Sequence, residues 1–191
     1  MIVTLTGASC AGKGFIASKL LERLPNAKLI PSHTTRGREN RDLPGEYVCV
    51  TPKEFKALKD ANAFLWNISA HGNEYGTMRA LVDEAFERED EVLIMMVVSA
   101  VDKLIAYARP KNKENDILSF YILSNRDVRK KRFIKRGDDP EDIERRLRDC
   151  EMWDEAALKS KIPYIFVENN ASIVLPVDEI VKLILDYQFG L

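Results

Sequence analysis

Gly7, Gly12 and Lys13 stand at the spacing G-x-x-x-x-G-K within GASCAGKG, residues 7–14. Those residue types at that spacing are chemistry for gripping phosphate. Glycines let the backbone curl until several N–H groups point at one anion. A lysine at the end of the curl reaches the outer oxygens of a polyphosphate, and a helix opening there adds the positive end of its dipole. Gly7, Ala8, Ser9, Cys10, Ala11, Gly12, Lys13, Gly14 and Phe15 are therefore the candidates for holding a nucleoside triphosphate. The pattern normally closes on Ser or Thr, whose hydroxyl ligates Mg²⁺. Here Gly14 keeps the N–H and lacks the hydroxyl, and Phe15 offers no substitute. No protein metal ligand is expected, and any Mg²⁺ is held mainly through phosphates and water.

Arginines are the second chemical signal. Arg132 and Arg136 are four residues apart and share a helix face, and Arg146 follows on the next helix. Their planar, permanently charged forks suit the charge that spreads over a transferring phosphoryl group. His33 and His71 are read as structural, and Cys10 as a small residue that fits the loop and could sense oxidation.

These groups need elements to place them. Residues 2–6 form a short apolar run stopped by Gly7, which reads as a buried strand. Residues 15–24 read as the helix after the loop, ended by Pro25. Strands are expected over 28–30, 47–50, 91–98, 119–123 and 164–167, and a hairpin over 64–77. Residues 31–46, rich in charge, Gly and Pro, read as loop. Helices are expected over 52–60 with Thr51 as cap, over 79–88, over 125–135, and from Asp139 onward. A final helix carries Val177, Ile180, Val181, Ile184 and Leu185 as one apolar stripe. Strands alternating with helices at both ends predict an α/β fold with a parallel sheet and a more β-rich insert.

With 31% charged and 46% apolar residues, the composition is that of a globular domain with a full core. Lys plus Arg (29) balance Asp plus Glu (30), so neither nucleic acid nor an anionic membrane is an expected partner. No apolar run spans a bilayer and no leader is recognisable. Cys10, Cys49 and Cys150 fit neither a disulfide framework nor a zinc site, so reduced thiols and a cytoplasmic location are expected.

Beyond the loop the chain resembles the guanylate kinase family. SHTTR at 32–36, PGEY at 44–47 and FLWNISAHGNEYGT at 64–77 resemble that family's motifs in order, and KKRFIKRGDDPEDIERRL resembles its lid and the following helix. The resemblance implies a three-layer P-loop kinase fold. The core is residues 1–32 and 78–191, the inserted mixed β/α acceptor lobe is 33–77, and the helical lid is about 126–148. It implies transfer of the γ-phosphate of ATP, with Mg²⁺, to a nucleoside monophosphate. By the same resemblance Lys13, Arg36, Arg132, Arg136 and Arg146 are catalytic. Arg36, Tyr47 and Tyr75 hold the acceptor phosphate with a second arginine, Arg38 or Arg41, because this loop is one residue short. Ser32 and Thr77 lie near the base. Small-molecule nucleotides are the expected partners, with a homodimer left open.

Two family positions depart. The carboxylates that read guanine's N–H edge correspond here to Trp66 and Val97. Three readings follow: a kinase acting on GMP or an altered acceptor, an enzyme resembling ribose 1,5-bisphosphate phosphokinases, or a non-catalytic guanylate-kinase-like binding module.

Overall fold

The computed structural model describes residues 1–70, 72–170 and 174–189. The first strand, β1 (Ile2–Thr6), is buried along its whole length, as expected of a central strand covered on both faces. It leads through the loop of 7–12 into α1 (Lys13–Arg23). β2 (Lys28–Leu29), β7 (Val92–Met95), β8 (Ile117–Leu123) and β9 (Ile165–Glu168) complete a five-stranded sheet of order β2-β7-β1-β8-β9. β2 pairs with β7 and β8 with β9, both parallel.

A second, mixed sheet is built from β3 (Ser32–Thr34), β4 (Tyr47–Cys49), β5 (Phe64–Ala70) and β6 (Asn73–Met78), in the order β4-β3-β6-β5. β3 runs parallel to β4 and antiparallel to β6, and β5 and β6 form the expected hairpin. The fold is thus the α/β class read from the sequence, with a parallel sheet, flanking helices and a mixed sheet.

The chain divides into two compact units. One comprises Met1–Thr4, Asn26–Met95 and Ser99–Leu118, the other Leu5–Pro25, Met96–Val98 and Ser119–Leu191. The first holds the mixed sheet with α2 (Pro52–Asp60) and α3 (Arg79–Phe86). α2 opens on a capping box: Thr51 Oγ1 accepts from the Glu54 N–H and Glu54 Oε2 accepts from the Thr51 N–H at 2.8 Å. The second unit holds α5 (Arg126–Arg136), α6 (Pro140–Leu158) and α7 (Val174–Phe189). Asn125 caps α5 through the Val128 N–H, and Asp139 caps α6 through the Glu141 N–H. Arg129, buried on α5, pairs with Asp154 at 2.6 Å, and Tyr121 donates to the same carboxylate at 2.8 Å.

Several expectations are corrected. Ser32–Thr34 is a strand within what reads as loop, because pairing on both sides makes a strand that three residues cannot announce by pattern. The apolar run expected as one strand over 91–98 is strand only to Met95, and Val98 opens α4 (Val98–Ala108), a helix the sequence reading did not place. A short apolar run has no periodicity to separate the two states. Leu185 is 39% exposed, at the rim of a stripe already filled by Val177, Ile180, Val181 and Ile184. The other elements differ from expectation only at their ends. Among the described residues no helix is long and apolar enough to cross a membrane.

Candidate active site

In the second unit, two glycines make the loop of 7–14 sterically feasible. Gly7 has φ +151°, and a Cβ there would lie 2.6 Å from the Ile122 carbonyl oxygen. Gly12 has φ +103°, and its Cβ would lie 2.3 Å from Asn169 Nδ2. Neither position admits a side chain. Cys10 takes the left-handed region at φ +59° without being glycine, a strained choice of the kind that clusters at functional loops.

The loop is braced from behind. Arg132 donates from one nitrogen to the carbonyls of Cys10 (3.0 Å) and Ala11 (2.9 Å), and from another to that of Asn169 (2.9 Å). Asn169 Nδ2 also donates to the Ala11 carbonyl at 2.8 Å, and the Cys150 thiol to that of Ser9 at 3.5 Å. The carbonyls of Ser9, Cys10 and Ala11 are turned to these donors, the Ala11 N–H goes to the Ala8 carbonyl at 3.3 Å, and α1 opens at the end of the loop, where a helix N-terminus favours an anion. Lys13 Nζ folds back onto the carbonyls of Gly7 (2.6 Å) and Ala8 (3.0 Å).

Arg136 and Arg146 both pair with Asp138, and both stand over the Phe133 ring, at 5.0 and 5.3 Å from its centroid. Burial pushes the Cys10 thiol up in pKa. Burial also lowers the pKa of Arg132. Phe133 shares a buried cluster with Ala8, with Cys10 packed against it, so the two arginines over Phe133 lie around the same loop as Lys13 and Arg132. Three free thiols are present, as expected.

Gly14 is different from the other loop glycines. A Cβ at this position would meet no atom within 4 Å, so packing does not demand glycine there. Phe15 beside it is 47% exposed. No group of residues suited to holding a metal is found among the described residues. The loop fits a polyphosphate and offers no side-chain ligand for Mg²⁺ at position 14.

In the first unit the mixed sheet lines up the acceptor candidates. Tyr47 on β4 pairs with Ser32 on β3, Ser32 Oγ lies 3.2 Å from Thr77 Oγ1 on β6, and Thr77 pairs with Trp66 on β5. Residues directly opposite in a sheet share a face, so Tyr47, Ser32, Thr77 and Trp66 form one row across four strands. Tyr75, two residues from Thr77, shares that face, and its ring meets that of Tyr47 edge-on at 6.2 Å. Arg36 lies over the Tyr47 ring at 4.9 Å.

A β-bulge sets this alignment. Phe64 pairs with Met78 but Trp66 with Thr77, so two residues on β5 oppose one on β6. The extra residue turns Phe64 to the opposite face, where it stacks on Phe55 of α2 at 4.6 Å, and turns Trp66 to the site face. His33 belongs to the Phe64 face, edge-on to that ring at 5.9 Å. That contact fits its structural reading, whereas His71 lies outside the described residues.

Three carboxylates that sequence reasoning passed over surround the arginines. Arg36 pairs with Glu39 and with Asp42 (2.7 Å), and Arg41 pairs with Glu39. Although burial works against it, hydrogen bonds to Asp42 and Glu39 raise the Arg36 pKa further. Glu46 accepts from the Leu43 N–H at 2.9 Å and hydrogen-bonds the Tyr47 hydroxyl. Burial, then Glu46, pushes the Tyr47 pKa up, and burial pushes that of Glu46 up. Arg38 is exposed and makes no ion pair with a described residue. Val97 is half-buried in the segment after β7, which belongs to the other unit. Asn169 and Asp138 were likewise missed. The acidic residues interspersed in TTRGRENRD were a usable signal for Glu39 and Asp42, but nothing local marks Asn169.

A family model described as guanylate kinase matches residues 1–171. The guanylate kinase of Symbiobacterium thermophilum is 27% identical over 187 residues, covering 97% of this chain and 84% of that protein. The guanylate kinase of Mycoplasma mobile is 31% identical over 174 residues, covering 88% of this chain and 85% of that protein. Among solved structures, guanylate kinase from Anaplasma phagocytophilum gives a TM-score of 0.74 at 20% identity, covering 98% of this chain and 86% of that one.

Proposed function

The chain belongs to the guanylate kinase family of ATP-dependent nucleoside monophosphate kinases, and from there we propose how its own residues divide the work. The loop of 7–14 with Lys13 binds the triphosphate of ATP. The lobe of 33–77 binds the acceptor, GMP or a monophosphate with an altered base. The lid of about 126–148 supplies Arg132, Arg136 and Arg146. A phosphate oxygen of the acceptor attacks the γ-phosphorus, the bond to the β-phosphate oxygen breaks, and ADP leaves. Positioning and cations do most of the work in such a transfer.

Lys13 leaves the carbonyls of Gly7 and Ala8 for the outer phosphates. Arg136 and Arg146 exchange Asp138 for the transferring group, while Arg132 keeps the loop in shape. Arg36, Tyr47 and Tyr75 hold the acceptor phosphate. Arg38 suits the place of second arginine better than Arg41, because Arg41 is already paired with Glu39. Mg²⁺, when bound, neutralises the phosphate oxygens, and Gly14 gives it no ligand.

The observation that carries this reading is that Lys13, Arg132, Arg136 and Arg146 lie around one glycine-curled loop. The test is ADP release from ATP with a panel of nucleoside monophosphates. Turnover that falls by about 10²–10³ in Lys13→Ala supports the assignment. Absence of ATP consumption with every monophosphate leaves a binding module.

A further inference from the structure

Two of the free thiols, Cys10 and Cys150, meet at the loop of 7–14. Cys150 is 3% exposed and belongs to a buried cluster with Ala8, Phe133, Ile143 and Leu147, and Cys10 packs against that same cluster. The Cys150 thiol donates to the Ser9 carbonyl at 3.5 Å. That carbonyl belongs to the peptide bond joining Ser9 to Cys10, so the atom the Cys150 sulfur touches shares one planar unit with the Cys10 Cα. Arg132 holds the Cys10 carbonyl at 3.0 Å, which fixes where the Cys10 side chain starts. Cys10 is half-buried, whereas Cys150 is closed off. A small oxidant therefore reaches one thiol first, with the second held beside it. In that arrangement an oxidised cysteine is resolved to a disulfide before it is oxidised further. Burial raises the pKa of both thiols, so neither is a ready nucleophile at neutral pH and the pair reacts slowly.

Resting on the loop reading above, we propose that Cys10 and Cys150 form a disulfide on exposure to hydrogen peroxide and that this bond switches ATP binding off. The Cys10 sulfur attacks a peroxide oxygen, the O–O bond breaks, and a sulfenic acid and water result. The Cys150 sulfur then attacks the Cys10 sulfur, the S–O bond breaks, and a second water leaves with the Cys150 proton. Two thiols and one peroxide give one disulfide and two waters, the sulfurs oxidised and the peroxide oxygens reduced. The bond takes the thiol donor away from the Ser9 carbonyl. It also ties the loop to α6 through Cys10, whose left-handed φ of +59° is part of the curl. The tethered loop no longer closes on a triphosphate.

The test treats the full chain with hydrogen peroxide in mildly alkaline buffer, followed by peptide mapping and calorimetric titration with ATP. A crosslink between Cys10 and Cys150 is expected, with ATP affinity lower by about tenfold or more and restored by dithiothreitol. Cys150→Ser has no resolving thiol, so dimedone should trap the sulfenic acid on Cys10 in that variant and not in the wild type. Cys49→Ser should respond to peroxide as the wild type does, since Cys49 lies on β4 in the other unit. A wild-type map without the link between Cys10 and Cys150, or a linked protein that binds ATP as the reduced one does, overturns the proposal with no variant needed. The loop reading fails separately, if the reduced protein itself binds no ATP.

Discussion

Arg36 donates to Asp42 Oδ1 at 2.7 Å, and the Asp42 side chain is only 6% exposed. Asp42 also accepts from the Glu39 N–H at 2.8 Å, so it fixes the turn as well as the guanidinium. Glu39 is the more exposed partner of Arg36 and also holds Arg41. On the proposed reading an acceptor phosphate competes with these carboxylates for Arg36, and Glu39, the more exposed, is the cheaper to move.

Glu39→Gln removes that competitor. The acceptor KM is expected to fall by up to about fivefold, the range of a half-exposed ion pair, with kcat unchanged. Asp42→Asn takes away the partner that aims Arg36 and should raise the same KM by about tenfold. Steady-state kinetics at saturating ATP separates the two. A rise in KM for Glu39→Gln would show that Glu39 assists binding instead.

Asn169 reaches Ala11 across 158 positions of sequence and sets the close approach that Gly12 requires. Asn169→Ala leaves the Ala11 carbonyl to Arg132 alone. Loss of the buried bond is expected to cost about 1–3 kcal/mol, or roughly 2–4 °C of Tm per kcal/mol. Because the damage is on the loop, the KM for ATP should rise several-fold while that for the acceptor stays put. Equal rises in both would refute the bracing role.

The curled loop of 7–12 was legible in the sequence because its demands are local: Gly7 and Gly12 take positive φ where no Cβ fits. The residues of the row on the mixed sheet were named only through motif resemblance, and its geometry was hidden. β3 exists because β4 and β6 flank it, and the bulge beside Trp66 depends on pairing with β6. Asp138 and Asn169 act through partners far away or around a helix junction, so no pattern within their own segments marks them.

Glu46 offers a test in pH. Burial raises its pKa, so the folded protein holds that proton more tightly than the unfolded chain does. Folding is therefore favoured most by this residue when it is protonated, and that contribution is lost as pH rises from the ordinary glutamate range through the raised value. Glu46→Gln cannot ionise, so the fall in its Tm between pH 4 and pH 7 should be smaller than in the wild type. Melting curves followed by circular dichroism across that range check this, and an unchanged pH dependence would mean that the Leu43 N–H and Tyr47 hydroxyl fully compensate the charge.

Gly14 is the one loop position where space and chemistry disagree. A Cβ there meets nothing within 4 Å, and the residue sits in the first turn of α1. Gly14→Ser therefore costs no packing and removes glycine's extra unfolded-state freedom, worth up to about 1 kcal/mol in a helix. It also supplies the hydroxyl that ligates Mg²⁺ in loops of this kind. The variant is expected to melt a few degrees higher and to reach half-maximal turnover at a lower Mg²⁺ concentration. A higher Tm with an unchanged Mg²⁺ profile would place the metal beyond reach of position 14. It would then be held by phosphates and water even when a protein ligand is on offer.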